Sequence, residues 1–86
     1  MRVNGNAMIN AGIHSGDVVI VDRSIKATSG KVIIAVLNGE MLIRRYEEHQ
    51  KRVRLVPATR KLATIDVDPA AEFSVWGVVT YVIHGL

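Results

Sequence analysis

Short runs of β-branched residues, broken by Gly, Asn and Pro, dominate the chain, and no segment keeps a 3.6-residue apolar period long enough for a helix. Asp17 to Arg23 holds the apolar run Val18-Val19-Ile20-Val21 and is entered from the turn His14-Ser15-Gly16, so it reads as a buried strand. Lys31 to Leu37 reads the same way. Asn38-Gly39 follows it, a pair that tolerates the positive φ angles of a type I′ turn, and predicts a tight hairpin with Glu40 to Glu47. Gln50-Lys51 separates that strand from Arg52 to Val56, which Pro57 closes because proline cannot donate to a ladder. Leu62 to Val67 suggests a further short strand, and Phe73 to Ile83 a long last one with Gly77 as a bulge or close-packing point. Simple alternation there places Phe73, Val75 and Gly77 on one face and Ser74, Trp76 and Val78 on the other. Trp76 is thereby a candidate for the core or for a dimer interface. Helix is limited to one turn near Ile9-Asn10-Ala11, and the expected class is all-β with non-local pairing.

Eighty-six residues, 49% of them hydrophobic, fit one domain over 1–86 with a thin stability margin that dimerisation would widen. There is no cysteine, which excludes a disulfide framework and a thiolate metal site. No apolar run approaches the roughly 20 residues that cross a bilayer, and Asn4, Gly5, Asn6 and Asn10 interrupt any secretory signal, so a soluble cytoplasmic protein is expected. The net charge is +3, and the basic side chains gather between Arg44 and Lys61, through Arg45, Lys51, Arg52, Arg54 and Arg60, against only Glu47 and Glu48. Such a cluster could meet a nucleic acid or an acidic protein, but it lacks interleaved aromatics beyond Tyr46 and reads more simply as a solvated hairpin.

The chemistry lies in the first twenty-two residues. Gly5-Asn6-Ala7-Met8, then Gly12-Ile13, Gly16-Asp17 and an apolar strand ending at Asp22 resemble the LexA/UmuD family of self-cleaving Ser-Lys peptidases, whose stretch reads Gly-Asp-Ser-Met, Gly-Ile, Gly-Asp and a strand. Further blocks follow in the same order: Ala27 to Ala35, the Asn38-Gly39-Glu40 turn with its basic strand, Val53 to Pro57, and Val75-Trp76-Gly77-Val78-Val79. The likeness covers nearly the whole chain and is greatest to the processed form of UmuD.

The resemblance implies a mainly β domain of the β-clip type that pairs with itself. It places the nucleophile position on Ala7 and the general-base position, in Glu40-Met41-Leu42-Ile43-Arg44-Arg45, on Arg44, with Gly5, Asn6, Met8, Gly16 and Asp17 as the scaffold of the site. Alanine has no attacking atom. Arginine keeps its proton at any physiological pH and cannot act as a base, so no peptide cleavage is expected of the chain as written. Ser15, Ser24, Ser29 and Ser74 sit by glycines or strand ends, where serine caps turns rather than attacks. Ala11-Gly12 looks like the family's cleavage bond but falls in the Gly-Ile loop. The arm that carries that bond is expected to be absent, since Ala7 lies only six residues from Met1. His14, His49 and His84 have no metal-ligand spacing, and neither metal nor cofactor is expected.

The setting implied is the bacterial response to DNA damage. In that setting the chain is expected to act as a homodimer that binds an error-prone translesion polymerase subunit or the RecA filament. The alternative is the C-terminal autopeptidase and dimerisation domain of a LexA-like or phage-type repressor with its dyad disabled, by natural decay or by an engineered change. Membrane association and direct DNA binding are not expected; in the family's repressors a separate helical domain contacts DNA.

Overall fold

The computed structural model describes residues 1–85. Six strands form one antiparallel sheet: β1 (Val18–Asp22), β2 (Val32–Leu37), β3 (Glu40–His49), β4 (Arg52–Val56), β5 (Ile65–Asp66) and β6 (Phe73–Ile83). The order across the sheet is β1-β6-β2-β3-β4-β5, so the last strand is inserted between the first two. The all-β expectation holds, with a single 3₁₀ turn, Ile9–Ala11, among the described residues. No helix among the described residues is long and apolar enough to cross a membrane.

The central strand β2 is apolar throughout because both of its faces are covered. Ile34 joins one cluster with Val3, Met8, Ile13 and Val19, so the segment before β1 lies over one side of the sheet. Ile33 and Ala35 join the other with Tyr46, Leu55 and Val78. Met8, Ile33, Leu55 and Val19 are the largest side chains fully removed from water, and each is worth on the order of 1.5–3 kcal/mol of burial. A chain this small thus roofs its sheet with irregular backbone in place of a helix.

The hairpins follow from turn chemistry. Asn38 and Gly39 both have positive φ, 50° and 82°, as a type I′ turn requires, and Leu37 pairs with Glu40 across it. Gln50 and Lys51 adopt the same left-handed conformation, at 50° and 63°, without a glycine. That lets β3 run two residues further than expected, to a pair between His49 and Arg52.

Two expectations need correction. The strand foreseen over Leu62 to Val67 shrinks to Ile65–Asp66, because Thr59 Oγ1 accepts the Lys61 amide in a turn and leaves Leu62 exposed. The face assignment around Trp76 also changes. Ile34 pairs with Gly77 but Ala35 pairs with Val75, so Trp76 is the extra residue of a β-bulge. The bulge breaks the alternation: Trp76 packs against the Met8 cluster while Val78 is buried in the opposite one. Arg23 closes over the indole, its guanidinium 4.5 Å from the ring centroid and its Nε donating to the Trp76 carbonyl at 2.8 Å.

Gly77 is required at this point by close approach rather than by backbone conformation. A Cβ there would fall on Val21 Cγ1 and lie 3.3 Å from the Asp22 carbonyl oxygen. Gly77→Ala is therefore expected to cost roughly 1–3 kcal/mol in chemical denaturation. In combination with Val21→Ala the two losses should be less than additive by more than about 0.5 kcal/mol, the signature of residues in contact.

Candidate functional site

A network of short hydrogen bonds holds the segment before β1 in place. Val3 donates to the Asp17 carbonyl and Gly16 to the Val3 carbonyl, each at 2.8 Å, in the manner of a one-rung ladder. The Gly5 amide donates to Ser15 Oγ at 3.1 Å, and the Ser15 amide donates to Asn6 Oδ1 at 3.2 Å. Gly5, at φ 96°, makes the bend that glycine alone adopts freely. The loop is fixed from its other side by residues 57–59: the Ala58 amide donates to the Ala7 carbonyl and the Asn10 amide to the Ala58 carbonyl, both at 2.8 Å. Met8, 1% exposed, plugs the core below.

Ala7 is thus presented on a braced loop at the mouth of a groove of about 360 Å³. Asn4, Gly5 and Asn6 line one wall, Glu40 to Arg44 of β3 the other, and Leu62 closes an end. The two residues singled out from the sequence, Ala7 and Arg44, meet across this groove although 37 positions separate them (44 − 7). Gly5 and Asn6 line it too, whereas Met8, Gly16 and Asp17 support it from behind. An apolar depression lined by Val3, Ile34 and Met41 to Ile43 adjoins it.

Arg44 is poorly served by its surroundings. One terminal nitrogen donates to the Ile43 carbonyl at 2.8 Å, but Nε is buried without a partner. Burial lowers its pKa from the ordinary arginine value, and the nearby negative charge of Glu40 opposes that shift. An unsatisfied buried donor costs about 1–3 kcal/mol, more than the net gain of about 1 kcal/mol from a typical hydrogen bond. The rest of the basic cluster is dispersed. Arg45 donates to the Gly30 carbonyl at 2.6 Å and Arg54 pairs with Asp66 at 3.0 Å, so neither joins Arg44 in one cationic face.

Three of the four serines make structural hydrogen bonds, and Ser74 lies within β6. Ser15 clamps the loop as above, Ser24 Oγ donates to Asp22 Oδ1 at 2.6 Å, and Ser29 Oγ bridges the two backbone groups of Glu48. Of the histidines, His49 stays apart at the end of β3. His14 and His84 come together at the same carboxylate oxygen of the buried Asp17, ring centroids 5.7 Å apart. Sequence separation concealed that approach, which the pairing of Val18 with Ile83 dictates. The clamp role of Ser15 and the groove contact of Leu62 were likewise invisible in one dimension, since both depend on loops crossing.

Ser15→Ala is expected to lower stability by about 1 kcal/mol, the typical net worth of one hydrogen bond. Arg44→Met, which removes an unsatisfied buried donor and keeps the apolar stem, is expected to leave stability unchanged or raise it. Thermal unfolding followed by circular dichroism distinguishes the two outcomes.

Comparison with known proteins gives a concordant result. The model of the family described as Peptidase S24-like matches residues 1–80. The chain is 40% identical over 77 residues to LexA repressor 1 of Xanthomonas oryzae pv. oryzae, covering 90% of this chain and 38% of that protein. It is 34% identical over 84 residues to the LexA repressor of Bordetella petrii, covering 98% and 38%. It is 35% identical over 82 residues to protein MucA of Salmonella typhimurium, covering 94% and 56%. The chain therefore spans between about two fifths and just over half of the length of these relatives.

Proposed function

Because this chain belongs to the Peptidase S24-like family, we propose that it is a non-catalytic member of the LexA/UmuD group, an interaction module that retains the scaffold of a Ser-Lys site without its reactive groups. Its setting is the DNA-damage response. It works by forming a homodimer and by binding an error-prone polymerase subunit or the RecA filament, in the cytoplasm. Its basic β3–β4 hairpin serves solubility rather than direct contact with DNA.

The observation that carries the reading is the groove itself. Hydroxyl activation requires a neutral amine within hydrogen-bond reach of the serine oxygen. The two residues on opposite walls here are an alanine and an arginine. Neither can do what such a pair must do, while the braces around them, Ser15 on Gly5, Asn6 on Ser15 and Ala58 on Ala7, remain in place. A frame of this kind is preserved when a surface is still needed after the reaction is not.

A second reading is favoured by the identity to LexA repressors, up to 40% in the matches above. On that reading the chain is the autopeptidase and dimerisation domain of a repressor with its dyad disabled. The two readings share a site and differ in what surrounds it in the full protein.

The chain as written is expected to leave an Ala-Gly peptide supplied in trans intact, and so is Ala7→Ser alone, because Arg44 holds its proton. Ala7→Ser with Arg44→Lys is expected to cleave it at alkaline pH, where the lysine is neutral. Absence of cleavage by the double variant, with its fold verified, would overturn the view that the scaffold is an intact Ser-Lys site. Sedimentation equilibrium is expected to show a dimer, and a monomer at all concentrations would remove homodimerisation from the proposal.

A further inference from the structure

Antiparallel pairing of β1 with β6 brings the turn before one strand to the end of the other. Val18 faces Ile83, so the next positions outward, Asp17 and His84, face each other as well. Asp17 is the buried charged side chain among the described residues, 6% exposed. Its Oδ2 accepts the His14 amide at 2.8 Å, lies 2.8 Å from His84 Nδ1, and lies 3.6 Å from His14 Nδ1. One potential ligand atom from each of the three residues falls within 4.8 Å of the others.

From this geometry we propose that His14, Asp17 and His84, none of which lines the Ala7 groove, form a binding site for a divalent metal ion of the zinc class, independent of the groove's function. This departs from the expectation drawn from sequence spacing alone. Two imidazoles and one carboxylate are a ligand set that zinc accepts, with water completing the coordination. Zinc–ligand distances of about 2.0–2.2 Å in a tetrahedron put ligand atoms roughly 3.3–3.6 Å apart. The His14 separation already meets that spacing, and the His84 separation needs to widen by about 0.5 Å.

The parts differ in freedom in a way that suits assembly. Asp17 is fixed: its backbone carbonyl accepts the Val3 amide and its carboxylate is oriented by the His14 amide, the kind of outer hydrogen bond that aims a ligating carboxylate. The two imidazoles are about half exposed, 53% and 58%, and can turn toward an arriving ion while leaving room for water. A hard ion such as Mg²⁺, which prefers an all-oxygen octahedron, has no comparable set here. Once bound, the ion would tie the turn that bears Ser15 to the end of β6, joining residues 67 positions apart in the sequence (84 − 17).

Titration of the metal-free chain with Zn²⁺ alone, followed by calorimetry and by thermal unfolding, tests the site. One saturable ion per chain and a rise in melting temperature are expected, with no rise for Mg²⁺ at the same concentration. Asp17→Asn would unsettle the turn, so the half-exposed histidines carry the test. His14→Gln and His84→Gln are each expected to weaken Zn²⁺ binding by at least about tenfold with the apo melting temperature kept within a few degrees. His49→Gln is expected to bind as the parent does. No saturable binding by the parent, half an ion per chain from bridging of two molecules, or undiminished binding by the His84→Gln variant would each overturn the proposal.

Discussion

Everything before β1 depends on how one carboxylate is buried. Asp17 enters the interior because the His14 amide donates to it, and that bond does most to hold its pKa below the usual aspartate range. The desolvation that opposes this is further offset by the His84 side chain. With the side chain so fixed, the backbone of residues 16 and 17 is free to receive Val3, and the loop carrying Ala7 is aligned against the sheet. Met8 and Ile13 then complete a core that β1, β2 and β6 could not close alone. Electrostatic anchoring and apolar burial are here successive steps of one construction.

The groove is bounded by that construction on one side. Its floor and walls come from parts with different physical origins: a loop held by side-chain bonds, and a strand, β3, positioned by a two-residue turn. Ala7 and Arg44 meet because both parts are rigid. Any pair of side chains at these two positions is placed by the same frame of loop bonds and strand pairing. The Nε of Arg44 is buried in this frame without a hydrogen-bond partner.

Much of this was legible in one dimension where local chemistry decides. The Asn38-Gly39 turn followed from the need for positive φ, and the β4 and β6 limits followed from β-branched runs and flanking breakers. The groove residues were legible only through resemblance, because pattern alone says nothing of Ala7 facing Arg44. One feature was legible in part and two not at all. The bulge foreseen at Gly77 falls on its neighbour Trp76, while Gly77 itself is the close-packing point, and the resulting shift in the alternation of β6 is what a strict period of two does not anticipate. Leu62 looked like a strand residue until a turn at Thr59 to Lys61 took it to the surface. The approach of His14 to His84 is a product of strand order, which the sequence of elements leaves undetermined.

The insertion of β6 between β1 and β2 also has a kinetic meaning. The run β2-β3-β4-β5 is a series of neighbours in sequence, each joined to the next by antiparallel pairing, and such local hairpins close quickly. Strand β6 must instead find Ile33 with Val78 and Val19 with Val82, across loops of about forty-five and sixty-three residues (78 − 33 and 82 − 19). Folding is thus expected to wait on a late docking step that completes both cores at once, measurable as low φ-values along β6. Until that step the apolar faces of β2 stand open, and the time spent there, more than native stability, sets the exposure of the chain to aggregation.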